Sequence, residues 1–146
     1  MSITQQNKLL IRRFIEEIGN TGDVTHLDRF VSPECIATDG KVRVRCGVAG
    51  MADHVRAVRE TYPDLHLTVG NQIAEGEWVA TQVTARGTHL GSWLGMAPTG
   101  KPVVITGVNV DRVVDGLIVE HGGAANTFEA LLEIGAIRPV TSTEQE

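Results

Sequence analysis

A chain of 146 residues, 42% of them apolar and carrying a net charge of −5, is sized for one domain with a core of its own. The negative charge argues against nucleic acid and anionic membrane surfaces as partners, and no apolar run reaches the roughly 18 residues that a membrane span needs. With no basic-then-apolar leader, Cys35 and Cys46 are expected to be reduced thiols of a cytoplasmic protein.

Leu10, Phe14 and Ile18 recur at every fourth position beside Ile11 and Ile15, which predicts an amphipathic helix over 5–19. Gly19-Asn20-Thr21-Gly22 stops it. Asp23 caps a predicted short helix through Phe30, closed by Pro33. A short strand is expected over 34–39, then an Asp39-Gly40 turn and the alternating run Lys41-Val42-Arg43-Val44-Arg45-Cys46, whose basic residues share one face. A helix over 48–61 ends before Tyr62-Pro63. Strands follow near 65–75, 77–89, 102–114 and 117–123, the last two joined by a two-residue Asp115-Gly116 turn. A final helix over 128–134 stops at Gly135. Residues 1–138 form the expected domain and 139–146 a flexible tail. Helices first and hairpins after them predict an α+β fold: a curved antiparallel sheet, helices on its concave side, and a conical cavity between.

The segment Gly87 to Lys101 is the densest in information. Gly87, Gly91, Gly95 and Gly100 permit turns that other residues resist, while Trp93, Leu94 and Met96 put a large apolar load on what should be a polar connection. Such a loop is expected to fold back over an apolar pocket.

Several segments carry a resemblance. They are Gly19-Asn20-Thr21-Gly22-Asp23, Tyr62-Pro63-Asp64-Leu65, Gly87-Thr88-His89, the run Leu94-Gly95-Met96-Ala97-Pro98-Thr99-Gly100-Lys101, and Asp115-Gly116-Leu117-Ile118-Val119-Glu120-His121. In this order and spacing the chain resembles the SnoaL-like polyketide cyclases, which have the nuclear-transport-factor-2-like cone. The resemblance implies a flat, apolar aromatic polyketide held inside the cone. It also implies either aldol closure of an anthracycline-type ring or, by likeness to a related branch, ring hydroxylation.

The chain departs from the cyclases at two places. A histidine six residues before the hairpin aspartate is replaced by Asn109, and an aspartate two residues after the Glu-His pair is replaced by Gly123, with Gly122 where a bulky residue usually precedes it. An asparagine can orient a carbonyl or enolate but cannot exchange a proton near neutral pH. Alternation places Gly107, Asn109, Asp111 and Val113 on one strand face. If that face is inward, Asp111 stands beside an apolar cavity, where its charged form is disfavoured and it could serve as a base. Alternatively, Asp111 sits at the sheet rim, paired with an arginine. The opposite strand face is expected to carry Val108, Val110 and Val83, an apolar patch from which a homodimer is expected.

His121 shares the parity of Gly123 and is either a proton carrier for a phenol or quinone oxygen or a structural histidine. Asn109, Asp111 and His121 are therefore the candidate catalytic residues. Trp93, Met96, His89, Trp78 and Asn126 are the candidate substrate-binding residues, with packing the competing role for His89, the tryptophans and Met96. His26-Leu27-Asp28 has the spacing that opens an iron-binding facial triad, but residues two apart on a helix do not share a face. No metal site, phosphate loop or dinucleotide fingerprint is present in the sequence. The loss at Asn109 and Gly123 tips the expectation toward hydroxylation, which would draw on oxygen and an external NAD(P)H-dependent reductase. Aldol closure with a relocated base and non-catalytic binding of an apolar ligand are the alternatives.

Overall fold

A computed structural model describes residues 1–141; part of the expected tail, 142–146, lies outside the described residues. Helix α1 (Ile3–Arg13) starts on a Ser2 capping box, in which Ser2 and Gln5 satisfy each other's backbone N–H groups. It runs into a π-helical turn, Phe14–Gly19. The wider turn brings Phe14, Ile15 and Ile18 inward together, all three buried, and π-turns of this kind recur at functional sites.

The helix expected over 23–30 is only a 3₁₀ turn, Leu27–Arg29. Asp23 accepts hydrogen bonds from the Thr25 N–H and hydroxyl, which closes a local turn in place of a helical cap. Strand β1 (Val31–Asp39) begins three residues earlier than expected. Its Pro33 falls in an irregular stretch between Val31 and Ile36, where a missing N–H costs no ladder bond. Then come β2 (Val42–Arg45), α2 (Gly47–Thr61), β3 (His66–Glu75), β4 (Trp78–Thr88), β5 (Pro102–Val114), β6 (Leu117–Ala125) and α3 (Thr127–Glu133).

The six strands form one sheet in the order β2-β1-β6-β5-β4-β3. It is mixed, not purely antiparallel, because β1 runs parallel to β6. The long excursion through α2 and four strands, β2 to β5, supplies the crossover that a parallel pair requires. The helical segments pack on the inner face around Ile11, Ile18, Met51, Val79, Val113 and Ile118. Along β5 the odd residues face in and the even ones out: Asp111 and Val113 are buried, whereas Val104, Val108 and Val110 are 40–48% exposed. Val83, expected on the outer face, pairs with Gly107 and faces inward.

The Gly-Asn-Thr-Gly stop also docks the helical layer. Asn20 Nδ2 donates to Leu67 O at 3.0 Å and its Oδ1 accepts from Leu67 N–H at 2.6 Å. The side chain thus acts as a one-residue partner strand for β3. Asn20→Ala strands both backbone groups and should lower stability by about 2 kcal/mol, measurable as a shift of the urea midpoint at constant slope.

Candidate active site

A cavity of about 250 Å³ lies between the π-turn, α2 and the inner faces of β4, β5 and β6. Its wall is mostly aliphatic. The polar side chains on it are His54, Arg59, Tyr62, Asn109 and His121, and their placement defines two ends.

At one end, His121 on β6 and Asp111 on β5 stand directly opposite each other, with His121 Nδ1 2.5 Å from Asp111 Oδ1. Asp111 is 1% exposed and does not line the cavity; it lies behind the imidazole, which does. The bond fixes the ring, and the other ring nitrogen, Nε2, has no hydrogen bond among the described residues. Burial works against a charged imidazole here, but the hydrogen bond and the charge of Asp111 outweigh it and raise the His121 pKa above its ordinary value. The pairing depends on a β-bulge. The Asp115-Gly116 hairpin starts in the register Val114↔Leu117 and Val113↔Ile118, then slips by one residue at Val119 to give Arg112↔Glu120 and Asp111↔His121. Without that extra residue His121 would lie opposite Val110, on the outer face.

Across the cavity from His121, His54 projects from α2. The two ring centroids are 6.3 Å apart. His54 keeps exposed surface and lines the cavity, yet protein atoms crowd its ring. That burial, followed by the charge of His121, lowers its pKa. Two imidazoles facing one space are thus biased in opposite directions, one toward the neutral base and one toward the cation. Asn109 lies one inward step along β5 from Asp111 and opposite Gly123; its amide can hold a ligand oxygen. Gly123 has φ +141°, and a Cβ there would lie 2.1 Å from Val108 O.

At the other end, the loop between β4 and β5 closes down on α2. Leu90 and Gly91 both donate backbone bonds to Thr61 O. A Cβ on Gly91 would sit 2.3 Å from Glu60 O, so only glycine allows this approach. His89 is fully buried; its Nδ1 accepts from Thr99 N–H at 3.2 Å, with the Thr99 hydroxyl 3.1 Å away, tying the two ends of the loop together. Trp93 stands edge-on to both Tyr62 and His89, with centroids 5.3 and 5.7 Å away. Trp93 therefore packs at the rim, and Met96 is joined to it by reciprocal backbone bonds.

The structure brings together Asn109, Asp111 and His121 at one end and His89 and Trp93 at the other. His89, Trp93 and Met96 stand behind or at the rim and do not line the cavity, and Trp78 and Asn126 lie farther from it. Trp78, 43% exposed, opens β4 beside Glu75 and Arg112. Asn126 is exposed at the foot of α3, where it donates to Glu129 and borders a groove on the outer sheet face. Sequence reasoning missed His54, Tyr62 and Arg59. The signal for His54 was present: Met51, His54, Val55 and Val58 share one helix face. Arg59 donates to the carbonyls of Gly19, Leu65 and Pro63 and so braces the turn after α2. Among the described residues, no three His, Cys, Asp or Glu side chains gather closely enough to hold a metal ion. No described helix is long and apolar enough to cross a membrane.

An α+β cone with a polar pair at the end of an apolar cavity defines the class of protein. In fold it matches a SnoaL-like protein of Jannaschia, with a TM-score of 0.84 at 22% identity over 94% of this chain and 97% of that one. The model of the SnoaL-like polyketide cyclases matches residues 9–134, and the chain belongs to that family. It is 28% identical over 118 residues to the aklanonic acid methyl ester cyclase DnrD of Streptomyces peucetius, covering 77% of this chain and 79% of that one. It is 29% identical over 104 residues to the nogalonic acid methyl ester cyclase of Streptomyces nogalater, covering 70% and 78%. AclR of Streptomyces galilaeus, a candidate hydroxylase, superposes with a TM-score of 0.79 at 28% identity over 95% of this chain and 91% of that one.

Proposed function

We propose that the protein is a tailoring enzyme for an aromatic polyketide of the anthracycline type, and that it closes a ring by intramolecular aldol addition. The observation that carries this reading is the His121–Asp111 pair facing His54 across the apolar cavity. The sequence alone tipped toward hydroxylation because a base and an acid were missing at Asn109 and Gly123; His54 and His121 can fill both roles.

In this mechanism His54 takes a proton from the carbon next to a substrate carbonyl. The Asn109 amide donates to the enolate oxygen. The enolate carbon adds to a second carbonyl carbon of the same molecule, forming the new C–C bond. The alkoxide left on that carbon takes a proton from the His121 imidazolium, which Asp111 holds in its charged form. His54 returns its proton through solvent, so the product is an isomer of the substrate. The relatives named for methyl ester cyclases support the substrate class.

The second reading, ring hydroxylation, is favoured by Asn109 in place of a histidine and by the likeness to AclR. It would need oxygen and an NAD(P)H-dependent reductase as partner. The exposed outer strip of Val104, Val108 and Val110 supports the expected homodimer.

Incubation with an open-ring anthraquinone ester precursor under isotopically labelled oxygen, with and without a reductase, separates the readings by mass spectrometry. An unlabelled cyclised isomer is expected. A product heavier by one labelled oxygen would establish hydroxylation instead, and unchanged precursor recovered bound to the protein would make the cavity a carrier site.

A further inference from the structure

Two buried polar atoms in the described structure have no hydrogen-bond partner: Tyr62 Oη and His89 Nε2. They belong to one cluster. The two rings lie 6.3 Å apart, and Trp93 stands edge-on to both. Tyr62 is 6% exposed and His89 is fully buried.

The hydrogen on each atom can be assigned. A backbone N–H can only donate, so His89 Nδ1, which takes the Thr99 N–H, is an acceptor, and the neutral ring carries its proton on Nε2. Burial raises the Tyr62 pKa, so its hydroxyl keeps its proton. Each is a donor with nothing to donate to, at a cost of about 1–3 kcal/mol apiece. Two such atoms in one cluster point to an acceptor that a bound molecule would supply.

We propose that Tyr62 Oη and His89 Nε2 form a subsite for a carbonyl or ester oxygen of the ligand, at the end of the cavity away from His121. The inference rests on reading the cavity as an aromatic polyketide site and adds where a second oxygen of that ligand is held. Tyr62 lines the cavity at the C-terminal end of α2, eight residues from His54, or about 12 Å along the helix. The Tyr62 ring also packs against Gly87, where any Cβ would meet Tyr62 Cβ at 3.0 Å; Gly87 pairs with Val103, about 20 Å along β5 from Asn109. A fused-ring molecule reaching from one end toward the other would present its far oxygen to the pair.

Trp93 controls entry. The two donors are sealed from water, and a cavity of about 250 Å³ falls below the roughly 300–1,000 Å³ of sites for drug-sized ligands. Trp93 sits on a short lobe closed by its own two backbone bonds to Met96, beside Leu94, which has φ +51° and is 74% exposed. Ligand entry is expected to turn Trp93 off the pair, enlarging the cavity and uncovering both donors at once.

The test uses methyl anthraquinone-2-carboxylate and 2-methylanthraquinone, which differ in the ester, in the full chain with Trp78→Phe so that Trp93 alone reports. The ester should bind about 10-fold more tightly than the methyl compound, one hydrogen bond's worth, and should shift Trp93 emission. Tyr62→Phe should abolish that preference while leaving the affinity for 2-methylanthraquinone within about 2-fold. Because the lost hydroxyl had no partner, the ligand-free variant should melt at the same temperature as its parent or higher. Equal affinity for both probes before and after Tyr62→Phe would overturn the subsite while leaving the cavity reading intact. Loss of stability with no change in preference would make the hydroxyl structural. Failure of the parent protein to bind either probe would overturn the cavity reading and the subsite with it.

Discussion

In the ring-closing mechanism proposed above, Asp111→Asn should lower cyclisation by about 10²- to 10⁴-fold, the span expected for losing an acid–base group, while leaving a folded protein. The carboxylate does not touch the cavity; it acts through His121, whose Nδ1 it holds at 2.5 Å. Burial alone would discharge that imidazole, and the bond to Asp111 reverses the balance. The isosteric amide keeps the shape but supplies no charge, so the His121 pKa falls, less of the imidazole carries a proton, and the alkoxide loses its proton donor. The fold survives because His121 can shed its proton, leaving no unpaired buried charge.

The pH profile distinguishes this account from a packing role. His54 must be neutral to accept a proton, and its pKa is lowered, so turnover should rise through a limb below the ordinary histidine value of about 6.5. His121 must be charged, and its pKa is raised, so turnover should fall through a limb above that value. With centroids 6.3 Å apart the limbs belong to the pair as a unit. Asp111→Asn should carry the alkaline limb downward and narrow the plateau; His54→Gln should erase the acid limb. Unchanged profiles in both variants would remove the pair from the mechanism. The same shift gives a stability signature. The His121–Asp111 interaction stabilises the fold fully below about pH 6.5 and loses that contribution as pH rises through the raised value.

Much of this arrangement could be read from the chain because it is local. The Asp115-Gly116 turn sets the hairpin, and alternation along β5 puts Gly107, Asn109, Asp111 and Val113 on one face. The glycines of the 87–101 loop announce its close approach to α2. What could not be read depends on register and distant pairing. A regular two-residue hairpin would set Asp111 opposite Glu120; the bulge at Val119 sets it opposite His121, and no residue type in that stretch marks the insertion. The parallel pairing of β1 with β6 joins segments some 80 residues apart and has no local signature. Trp78 and Asn126 were placed in the pocket by position along the chain, but a strand's first residue and a helix's flanking residue sit beyond the cavity rim. His54 was legible in helix phase, though its meaning required His121 across the space.

Gly123→Asp should destabilise the fold by about 4 kcal/mol or more, although aspartate is the residue that the resembling cyclases carry there. Gly123 has φ +141°, a region nearly closed to L side chains, and its hypothetical Cβ lies 2.1 Å from Val108 O and 2.8 Å from Asn109 Cα. Both are backbone atoms of the neighbouring strand, so no rotamer change relieves the contact. Strain at such a dihedral costs about 1–3 kcal/mol and overpacking typically as much again. Gly123→Ala should cost nearly as much, because the clash begins at Cβ; comparing the two urea midpoints separates backbone strain from the added charge. Restored pairing and near-normal stability in either variant would show that β6 relaxes. The bulge at Val119 and the constrained glycine lie on the same strand, four residues apart. One brings His121 inward to meet Asp111, and the other leaves no room for a carboxylate beside Asn109. In the ring closure proposed above, the geometry therefore favours the His121–Asp111 pair over position 123 as the proton donor.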